Sequence, residues 1–261
     1  MTKWVLRSIV LFYLAFLLII PVGLIFWRTF EHGFGPFWDS MTEPEAIHAL
    51  KVTLQVAIIA VVLNTIFGVG VSLLLVRRDF PGKRVLNLLI DLPLAISPVV
   101  VGLALILVYG RLTPVGEWFG DQGIDIMYAL PAMVMATVFV SLPLIVRELV
   151  PVLEEVGTDQ EQAASTLGAS AIQTFRRITL PSIRWALAYG IVLTLARCLG
   201  EYGAVAVVSG RIKGKTQTLT LLVDQRFGNF DRVGAYSVSV TLAMIAILTM
   251  LVLTIIRPKE A

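Results

Sequence analysis

The sequence predicts an all-α membrane protein that crosses the bilayer six times. Hydrophobic residues make up 57% of the 261 residues and charged residues only 15%, whereas soluble domains average about 45–50% and about 25%. The apolar residues are gathered into six long runs, each close to the ~20 residues that an α-helix needs to cross ~30 Å of hydrocarbon. Because backbone polar groups in lipid must bond within their own segment, we expect each run to be a helix.

The six runs follow one another with polar connections and predict a single transmembrane domain over residues 1–261. They cover residues 8–27, 52–76, 86–109, 126–146, 186–208 and 236–256. The first run is longer than the apolar part of a signal peptide and lacks a small-residue cleavage site, so we interpret it as a retained span. Prolines inside the runs predict kinked or broken helices, and they are Pro21, Pro93, Pro98, Pro131 and Pro143.

The Lys and Arg residues between the runs predict which ends face the cytoplasm. If the N-terminus is inside, twelve of them lie in inside segments and eight in outside loops. Positively charged loops tend to stay on the cytoplasmic side, so we expect both termini there. Residues 209–235, which we call the outer loop, are an exception, since five of the eight outside residues lie in them.

A long polar segment, residues 147–185, separates the fourth and fifth runs on the predicted cytoplasmic side. Thr158 followed by Glu161 has the spacing of a capping box, in which each side chain bonds the backbone N–H of the other residue. Ser170 followed by Gln173 repeats this spacing. Two short helices are therefore predicted, each with its own start signal.

The first of these short helices has a small apolar face and a predicted end. Ala163, Ala164 and Leu167 lie on one side of it, and small residues let another protein approach closely. Gly168 suits the left-handed residue that ends a helix. A helix pair that simply lies on the bilayer surface has the same features, so these residues leave both interpretations open.

The same residues form a family signature. The pattern resembles the EAA signature of ABC-importer permeases and is carried by Glu161, Ala163, Ala164, Gly168, Ile178, Leu180 and Pro181. In that family the signature forms a coupling helix that docks into a groove on the cytoplasmic ATPase. The resemblance implies this role for these residues and for Leu167. Gln162 displaces the first Ala of the usual Glu-Ala-Ala, a minor departure from the pattern.

Longer stretches narrow the resemblance to one group of these permeases. They are "DFPGKRVLNLLIDLPLAISPVVVGL", "VRELVPVLEEVGTDQEQAASTLGAS", "RRITLPSIRWALAYGIVLTLARCLGEYGAVAVVSG" and "GKTQTLTLLV". All four are similar to the sulfate/thiosulfate permeases, above all to the W-type subunit. Molybdate and tungstate permeases are near relatives of that group, and import of those anions stays open.

The resemblance implies the type I ABC-importer permease fold in a bacterial inner membrane. The implied partners are a second permease subunit, two cytoplasmic ABC ATPase subunits, a soluble sulfate-binding protein and membrane lipid, with no nucleic acid. ATP and Mg belong to the ATPase, and this chain binds no cofactor of its own. The residues alone do not exclude a homodimer, and a passive anion channel or a membrane scaffold is the alternative of another class.

No catalytic site is predicted on the chain. The stretch "GRIKGKT" resembles a phosphate-binding loop, but three residues separate Gly210 from Gly214 where that loop needs four. His32 and His48 both fall in the first outside loop, and no Cys, His or Asp cluster has metal-ligand spacing. Cys198 lies in an apolar run and is interpreted as a core residue. We therefore expect a non-catalytic transport subunit driven by ATP hydrolysis on a partner.

Charged residues inside predicted spans cost about 2.5–3.5 kcal/mol each on insertion scales, which makes them candidates for an anion pathway. Asp91, Arg197 and Glu201 are of this kind. Arg197 and Glu201 are four residues apart on one helix face and can pair. Either the pair locks the fifth span to its neighbours, or Arg197 attracts the anion with the Thr194 hydroxyl on the same face.

The prolines of "DLPLAISPVV" add Ser97 to these candidates. Pro93 and Pro98 each disturb the helical hydrogen-bond pattern and leave backbone groups without helical partners. Free N–H groups and the Ser97 hydroxyl can bind sulfate oxygens. Alternatively, the segment is a kink at a subunit interface, with Asp91 satisfying the freed donors.

The outer loop predicts a basic mouth. It carries Arg211, Lys213, Lys215, Arg226 and Arg232 against Asp224 and Asp231, a net charge of +3. Such a mouth raises the local anion concentration, docks an acidic lip of the binding protein, or is simply carried outside by strong flanking spans. We favour docking, with Arg211, Lys213 and Lys215 as the contact residues.

Overall fold

Residues 2–256 are described by a computed structural model and form α-helices joined by short loops. In chain order the helices are α1 (Thr2–Leu14), α2 (Ile20–Phe30), α3 (Gly35–Thr42), α4 (Pro44–Arg77), α5 (Lys83–Ala95), α6 (Pro98–Tyr109), α7 (Pro114–Asp121), α8 (Leu130–Val156), α9 (Asp159–Thr166), α10 (Ala171–Thr174), α11 (Leu180–Leu199), α12 (Gly203–Val208), α13 (Leu219–Gly228) and α14 (Arg232–Ile256). Single π-helical turns, Ala15–Ile19 and Phe175–Thr179, link α1 to α2 and α10 to α11. No strand occurs in this range, so the predicted all-α class is confirmed.

Five helical stretches within residues 2–256 are long and apolar enough to cross a membrane. They are Trp4–Phe30, Pro44–Arg77, Leu130–Val156, Ala171–Leu199 and Arg232–Val252. The pair α5 and α6 passes the same test together but is bent by 112°. With this pair counted as one broken span, the total is six.

The third predicted run, residues 86–109, is not one helix, and Pro98 is the reason. Ile96 and Ser97 separate α5 from α6 and are not helical. A proline disfavours helical geometry in the residue before it, and Ser97 has φ −59° and ψ 134°. Pro93 lies inside α5, so only the second of these two prolines breaks the run.

The fifth predicted run, residues 186–208, is interrupted as well. α11 ends at Leu199, residues 200–202 are not helical, and α12 continues the chain. The Glu201 carboxylate accepts a hydrogen bond from the Ala204 N–H at 2.9 Å and so caps the first turn of α12. An acidic group is favourable at a helix N-terminus. The prediction of one continuous helix is therefore wrong here, because a buried side chain stabilises the break.

The helices on either side of the predicted loop 147–185 extend into it. α8 continues to Val156 and the next long helical stretch begins at Ala171, so only residues 157–170 lie between them. Pro143 lies inside α8 without ending it. The predicted loop is too long because hydropathy marks contact with hydrocarbon, whereas a helix continues as long as its backbone bonds are made.

Other prolines are accommodated without a break. Pro21 follows the π-helical turn Ala15–Ile19, and Pro181 follows Phe175–Thr179. In each turn the residue directly before the proline donates its N–H to the carbonyl five residues back. The wider turn accommodates a residue that has no N–H of its own. Pro131 lies in the first turn of α8, where a missing N–H costs nothing.

The two breaks lie against each other, because α12 packs on the start of α6. A Cβ added at Gly203 would lie 3.0 Å from Pro98 Cβ. One added at Gly102 would lie 2.8 Å from Val207 Cβ and 2.9 Å from Ala204 O. Glycine at both positions permits this close approach. The chain therefore leaves helical geometry twice in one region of the bundle.

α4 and α8 pack closely at the centre of the bundle. A Cβ added at Gly68 on α4 would lie 2.7 Å from the Ile145 side chain on α8. One turn earlier, the buried Asn64 side chain donates to Ser141 Oγ at 2.8 Å and to Val138 O at 3.2 Å. Small residues and interhelical hydrogen bonds of this kind hold helices together in lipid, which is as apolar as the helices themselves.

Gly68→Ala should destabilise this helix pair, because the new methyl group overlaps Ile145. Overpacking a core typically costs about 1–3 kcal/mol, which should lower the midpoint of thermal unfolding of the detergent-solubilised protein. Gly70→Ala is the matched control on the same helix, since a Cβ there meets nothing within 4 Å. It should leave the midpoint unchanged or raise it, because Ala favours a helix by about 1 kcal/mol over Gly. Equal midpoints for the two variants would contradict the packing described.

Candidate functional site

The polar segment between α8 and α11 holds the candidate site, and its first helix ends as predicted. Beyond α9, Gly168 has φ +85°, the left-handed conformation. The Gly168 N–H bonds Ser165 O and the Ala169 N–H bonds Ala164 O, both at 3.0 Å. These two bonds form the Schellman ending, which satisfies the last carbonyls of a helix. The prediction that Gly168 ends this helix in the left-handed conformation is confirmed.

Of the two predicted capping boxes, the second is formed and the first is not. Ser170 Oγ accepts a bond from the Gln173 N–H, and Gln173 Oε1 accepts one from the Ser170 N–H at 2.9 Å. The Thr158 hydroxyl instead accepts a bond from the Gln162 side chain at 2.9 Å. The Glu161 carboxylate is used elsewhere, so the first prediction is wrong.

Glu161 joins parts of the chain that are far apart in sequence. Its carboxylate accepts two hydrogen bonds from the Arg77 guanidinium, Nε to Oε2 at 3.0 Å and Nη2 to Oε1 at 3.2 Å. Thr179 Oγ1 donates to the same Oε1 at 2.8 Å. We call Arg77, Glu161 and Thr179 the Arg77 junction. A bidentate, charge-assisted pair is stronger than a bond to a neutral backbone N–H, which explains why the cap is lost.

Arg77 also holds the C-terminal end of α8. Nη1 donates to Leu153 O at 3.0 Å and Nη2 to Gly157 O at 2.8 Å. The last carbonyls of a helix lack partners within it, and a cation there suits the helix dipole. Nothing in the sequence marks this junction, since Arg77 resembles any charge that flanks a span and Thr179 occupies a spacer position of the signature.

The other side of the segment is apolar and open. Leu167 is 89% exposed and Ile172 is 71% exposed. Beside them lies a notch of about 340 Å³, lined among others by Ala164, Leu167, Gly168 and Ile178. The remaining signature residues lie nearby in the chain, Ala163 exposed on α9 and Leu180 and Pro181 at the start of α11. Of the signature residues, the structure therefore brings Ala164, Gly168 and Ile178 together around one accessible notch.

Arg197 and Glu201 form the predicted ion pair at the end of α11, with Arg197 Nη1 2.7 Å from Glu201 Oε2. The Glu201 side chain is 3% exposed, whereas that of Arg197 is 38% exposed. Thr220 Oγ1 donates to Glu201 O at 2.9 Å and ties α13 to the same turn. Cys198, between the paired residues, is buried as predicted. Glu201 is thus held by three helices, while Arg197 is partly open.

Two of the remaining pathway candidates, Thr194 and Asp91, do not join this pair. Thr194 is fully buried and its hydroxyl has no partner among the described residues, so it does not share the open side of Arg197. Asp91 pairs with Arg147 of α8 at 2.9 Å. Its carboxylate is therefore bonded to a side chain of another helix and not to backbone donors freed by a proline. Ser97 is exposed at the start of α6, and within residues 2–256 its side chain caps no N–H.

The basic charge of the outer loop is largely compensated. Arg211 Nη1 lies 2.8 Å from Asp224 Oδ2, and Lys213 Nζ lies 3.5 Å from Glu45 Oε1. Glu45 belongs to the first turn of α4, far from the outer loop in sequence. The net charge of +3 therefore overstates the charge of this surface, because acidic residues from another segment fold against it.

Arg226 is the clearest case of this compensation. Its side chain is 7% exposed and contacts the Ser40 hydroxyl and the Glu43 carboxylate. Arg226 Nε also lies 3.8 Å from Asp231 Oδ2. The residue predicted to contribute to a basic mouth instead holds α13 to α3 and to the starts of α4 and α14.

Lys215 is the predicted docking residue whose charge is not neutralised by a carboxylate of the described residues. It forms no ion pair among the described residues. Lys215 lines a cleft of about 550 Å³ together with Arg111, Asp125 and Tyr128. Arg111 and Asp125 pair across 2.6 Å. Tyr128 has φ 59°, a backbone conformation that non-glycine residues rarely adopt, so this cleft has a strained wall.

Glu201→Gln should destabilise the protein, because it leaves the Arg197 guanidinium beside a neutral side chain in a buried turn. Losing a hydrogen bond to a charged group costs about 1.5–3 kcal/mol, which thermal unfolding in detergent should detect. Asp91→Asn is the matched control, since it breaks an exposed pair that is typically worth about 0–1 kcal/mol. A larger loss for Asp91→Asn than for Glu201→Gln would refute this ranking.

The chain matches a family model and curated proteins over most of its length. The model, described as binding-protein-dependent transport system inner membrane component, matches residues 64–260. The sulfate transport system permease protein CysW of Synechocystis sp. is 44% identical over 257 residues, covering 98% of this chain and 93% of that protein. The sulfate transport system permease protein CysT of Salmonella typhimurium is 35% identical over 229 residues, covering 88% and 83%.

A solved structure has the same fold. It is the crystal structure of a bacterial alginate ABC transporter in complex with an alginate pentasaccharide-bound periplasmic protein. The TM-score is 0.78 over 97% of this chain and 93% of that chain, at 16% sequence identity. At this identity the likeness concerns the fold alone, which is that of an ABC-importer permease. The family model over residues 64–260 and the 44% identical relative show that the chain belongs to the binding-protein-dependent transport-system inner-membrane components.

Proposed function

We propose that this chain is the membrane-spanning permease subunit of an ATP-driven importer of sulfate and thiosulfate. The observation that carries the proposal is the arrangement around α9: Leu167 at its C-terminal end is largely exposed, whereas Glu161 within it is bonded to Arg77 at the end of α4 and to Thr179 just before α11. Such a helix can connect a soluble partner to the membrane part. Similarity to proteins named for sulfate transport, over nearly the whole chain, supports the choice of anion.

The open side of α9 suits docking on a cytoplasmic ATPase. Leu167 provides a large exposed apolar side chain, with the small residues Ala164, Gly168 and Ala169 on one part of the notch beside it and the larger Gln173, Arg177 and Ile178 on another. The Schellman ending at Gly168 and the Ser170 capping box keep this surface rigid. In this proposal ATP and Mg are held by the ATPase, and the permease contributes Glu161, Ala163, Ala164, Leu167, Gly168, Ile178, Leu180 and Pro181 to the coupling.

A second permease subunit completes the transporter. Relatives of two types, CysW and CysT, both carry the name of a sulfate permease, which favours a pair of unlike subunits. The apolar window of Trp4–Phe30 is unburied within this chain. It is therefore available to lipid or to the second subunit.

The anion passes, in this proposal, near the two helix breaks. Non-helical backbone at membrane depth occurs where it lines a cavity or is buried in protein. The contact of Gly203 with Pro98 brings the segment of Ser97 next to that of Glu201. Arg197 adds a partly open positive charge at this point. Asp91, which is paired with Arg147, and the fully buried Thr194 lie outside this opening.

The outer loop receives the binding protein that delivers the anion. Lys215 offers an open charge at the rim of a cleft, and Arg211 and Lys213 provide paired charges on the same loop. Complementary charges raise association rates and select the correct orientation. The alginate transporter of similar fold binds its periplasmic protein, which agrees with this arrangement.

The proposed location is a bacterial inner membrane with both termini in the cytoplasm. The distribution of Lys and Arg supports this orientation. It puts α9 on the side of the ATPase and Lys215 on the side of the binding protein. Residues 1–261 then act as one transmembrane domain.

Sulfate uptake by proteoliposomes that contain this chain, the second permease, the ATPase and the binding protein should require ATP and persist in excess molybdate. Gly168→Asp should reduce uptake about ten-fold or more, as expected for loss of coupling between sites. The physical reason is that a side chain at φ +85° strains the helix ending and adds a charge to the docking face.

Gly82→Asp is the matched control for this experiment. Gly82 also has positive φ, +94°, and also has open space around an added Cβ. It lies between α4 and α5 and does not line the notch beside Leu167, so uptake should stay near the wild-type level. Uptake abolished by molybdate would assign the chain to molybdate or tungstate import. Uptake without ATP would indicate a passive channel, and no uptake at all a scaffold.

Lys215→Glu should weaken the stimulation of ATP hydrolysis by the sulfate-loaded binding protein, because it reverses the open charge of the cleft. We expect the half-maximal concentration of binding protein to rise about ten-fold at low salt, and less at high salt, where exposed charges are screened. Hydrolysis without binding protein should not change. An unchanged dependence on the binding protein would remove Lys215 from the docking surface.

A further inference from the structure

The Arg77 junction links four helical elements through one guanidinium and one carboxylate. Arg77 ends α4, its carbonyl partners lie at the end of α8, Glu161 lies in α9, and Thr179 lies in the turn Phe175–Thr179 that leads into α11. The Arg77 and Glu161 side chains are 14% and 21% exposed. The pair is therefore largely shielded from water and salt.

The chemistry of these bonds requires arginine. All three guanidinium nitrogens donate, two of them to Glu161 and two of them to backbone carbonyls, with Nη2 shared. A planar fork with fixed donor directions makes this possible, whereas a lysine ammonium is a compact point charge. Thr179 adds a hydroxyl donor from a buried position.

Few other contacts attach α9 to the long helices. All residues of α9 are described, and none is buried. Its packing is mainly against α10 and the turn Phe175–Thr179. Its C-terminal end is closed by local bonds at Gly168. A force applied to α9 therefore reaches α4 chiefly through the Glu161 carboxylate, whereas α8 is also connected to α9 by the backbone of residues 157–158.

We propose that Arg77 and Thr179 are positioning residues that convert a movement of the docked α9 into a movement of α4, α8 and α11. The proposal rests on the proposed function, in which a partner ATPase moves α9. In this proposal the Glu161 oxygens bond the residues that lead into the long helices, while Leu167 and its neighbours form the docking surface. Without the junction α9 still folds and docks, but ATP hydrolysis is no longer followed efficiently by transport.

Thr179→Val and Thr179→Ser test this in the complete transporter, reconstituted in proteoliposomes with sulfate uptake and ATP hydrolysis measured on the same sample. Valine keeps the shape of threonine but cannot donate, whereas serine keeps the hydroxyl. We expect Thr179→Val to copurify with the ATPase and to hydrolyse ATP. The sulfate transported per ATP should fall about five-fold or more, the lower end of typical coupling between sites. Thr179→Ser should keep the wild-type ratio.

Arg77→Lys provides a second test, because it keeps the charge and removes the fork. We expect the same fall in sulfate per ATP with the ATPase still bound. Combined with Thr179→Val, it should lower the ratio by less than the product of the two single effects, because both residues act through Glu161. Effects that simply multiply would mean that the two residues work independently, which contradicts a shared junction.

Several outcomes would overturn the proposal. One is a Thr179→Val transporter that moves as much sulfate per ATP as the wild type. Another is loss of the ATPase from that variant, which would make Thr179 part of the docking surface. A third is a Thr179→Ser variant as uncoupled as Thr179→Val. A wild-type transporter without ATP-driven sulfate uptake would overturn the proposed function and the coupling role together, whereas the other outcomes concern the coupling role alone.

Discussion

Backbone hydrogen bonding is the constraint on which the rest of this structure depends, since groups inside hydrocarbon must find partners within the protein. Long uninterrupted helices such as α4 and α8 meet it automatically. Where the chain leaves helical geometry, other groups take over. The Ile96 N–H still bonds Leu92 O, and Ser97 O accepts from the Val101 N–H. At the other break the Glu201 carboxylate caps α12. Packing α12 onto the start of α6 places the two breaks against each other, and within them Glu201 is buried while Ser97 stays exposed.

Helices that satisfy their own backbone hydrogen bonds are not joined to one another by them, and arginine–carboxylate pairs make this connection instead. Arg77 and Glu161 join α4 to α9, and Arg226 joins α13 to the chain before α4. Arg197 and Glu201 act within one turn and its cap. In each case one partner is nearly buried, so the pair holds its elements in one arrangement and resists screening by salt. The elements around α9 and those around α13 are thus each held together by a shielded arginine. A movement of one element therefore acts on others that are bonded to it.

Much of the candidate site was accessible to prediction because its geometry is local. Gly168, the Ser170–Gln173 capping box and the Arg197–Glu201 pair each depend on residues within five positions of one another, and all three are confirmed. The Thr158–Glu161 capping box is equally local and is wrong. A local sequence pattern indicates which hydrogen bonds are possible, and the prediction is wrong when the fold places a stronger partner beside the same group. The charge of the outer loop is overestimated for the same reason, since its partners Glu43 and Glu45 are distant from it in sequence.

The sequence by itself determined the class of the protein, the order of its apolar segments and the position of the two short helices α9 and α10, because hydropathy, proline and capping residues act on their immediate surroundings. Only the tertiary structure decided that Pro98 rather than Pro93 breaks a helix, that the break at Glu201 lies against it, and that Glu161 bonds Arg77, which is 84 positions away. The physical reason is that these outcomes depend on which surfaces meet. A side chain takes the strongest partner within reach, and reach is set by the packing of helices that are remote in sequence.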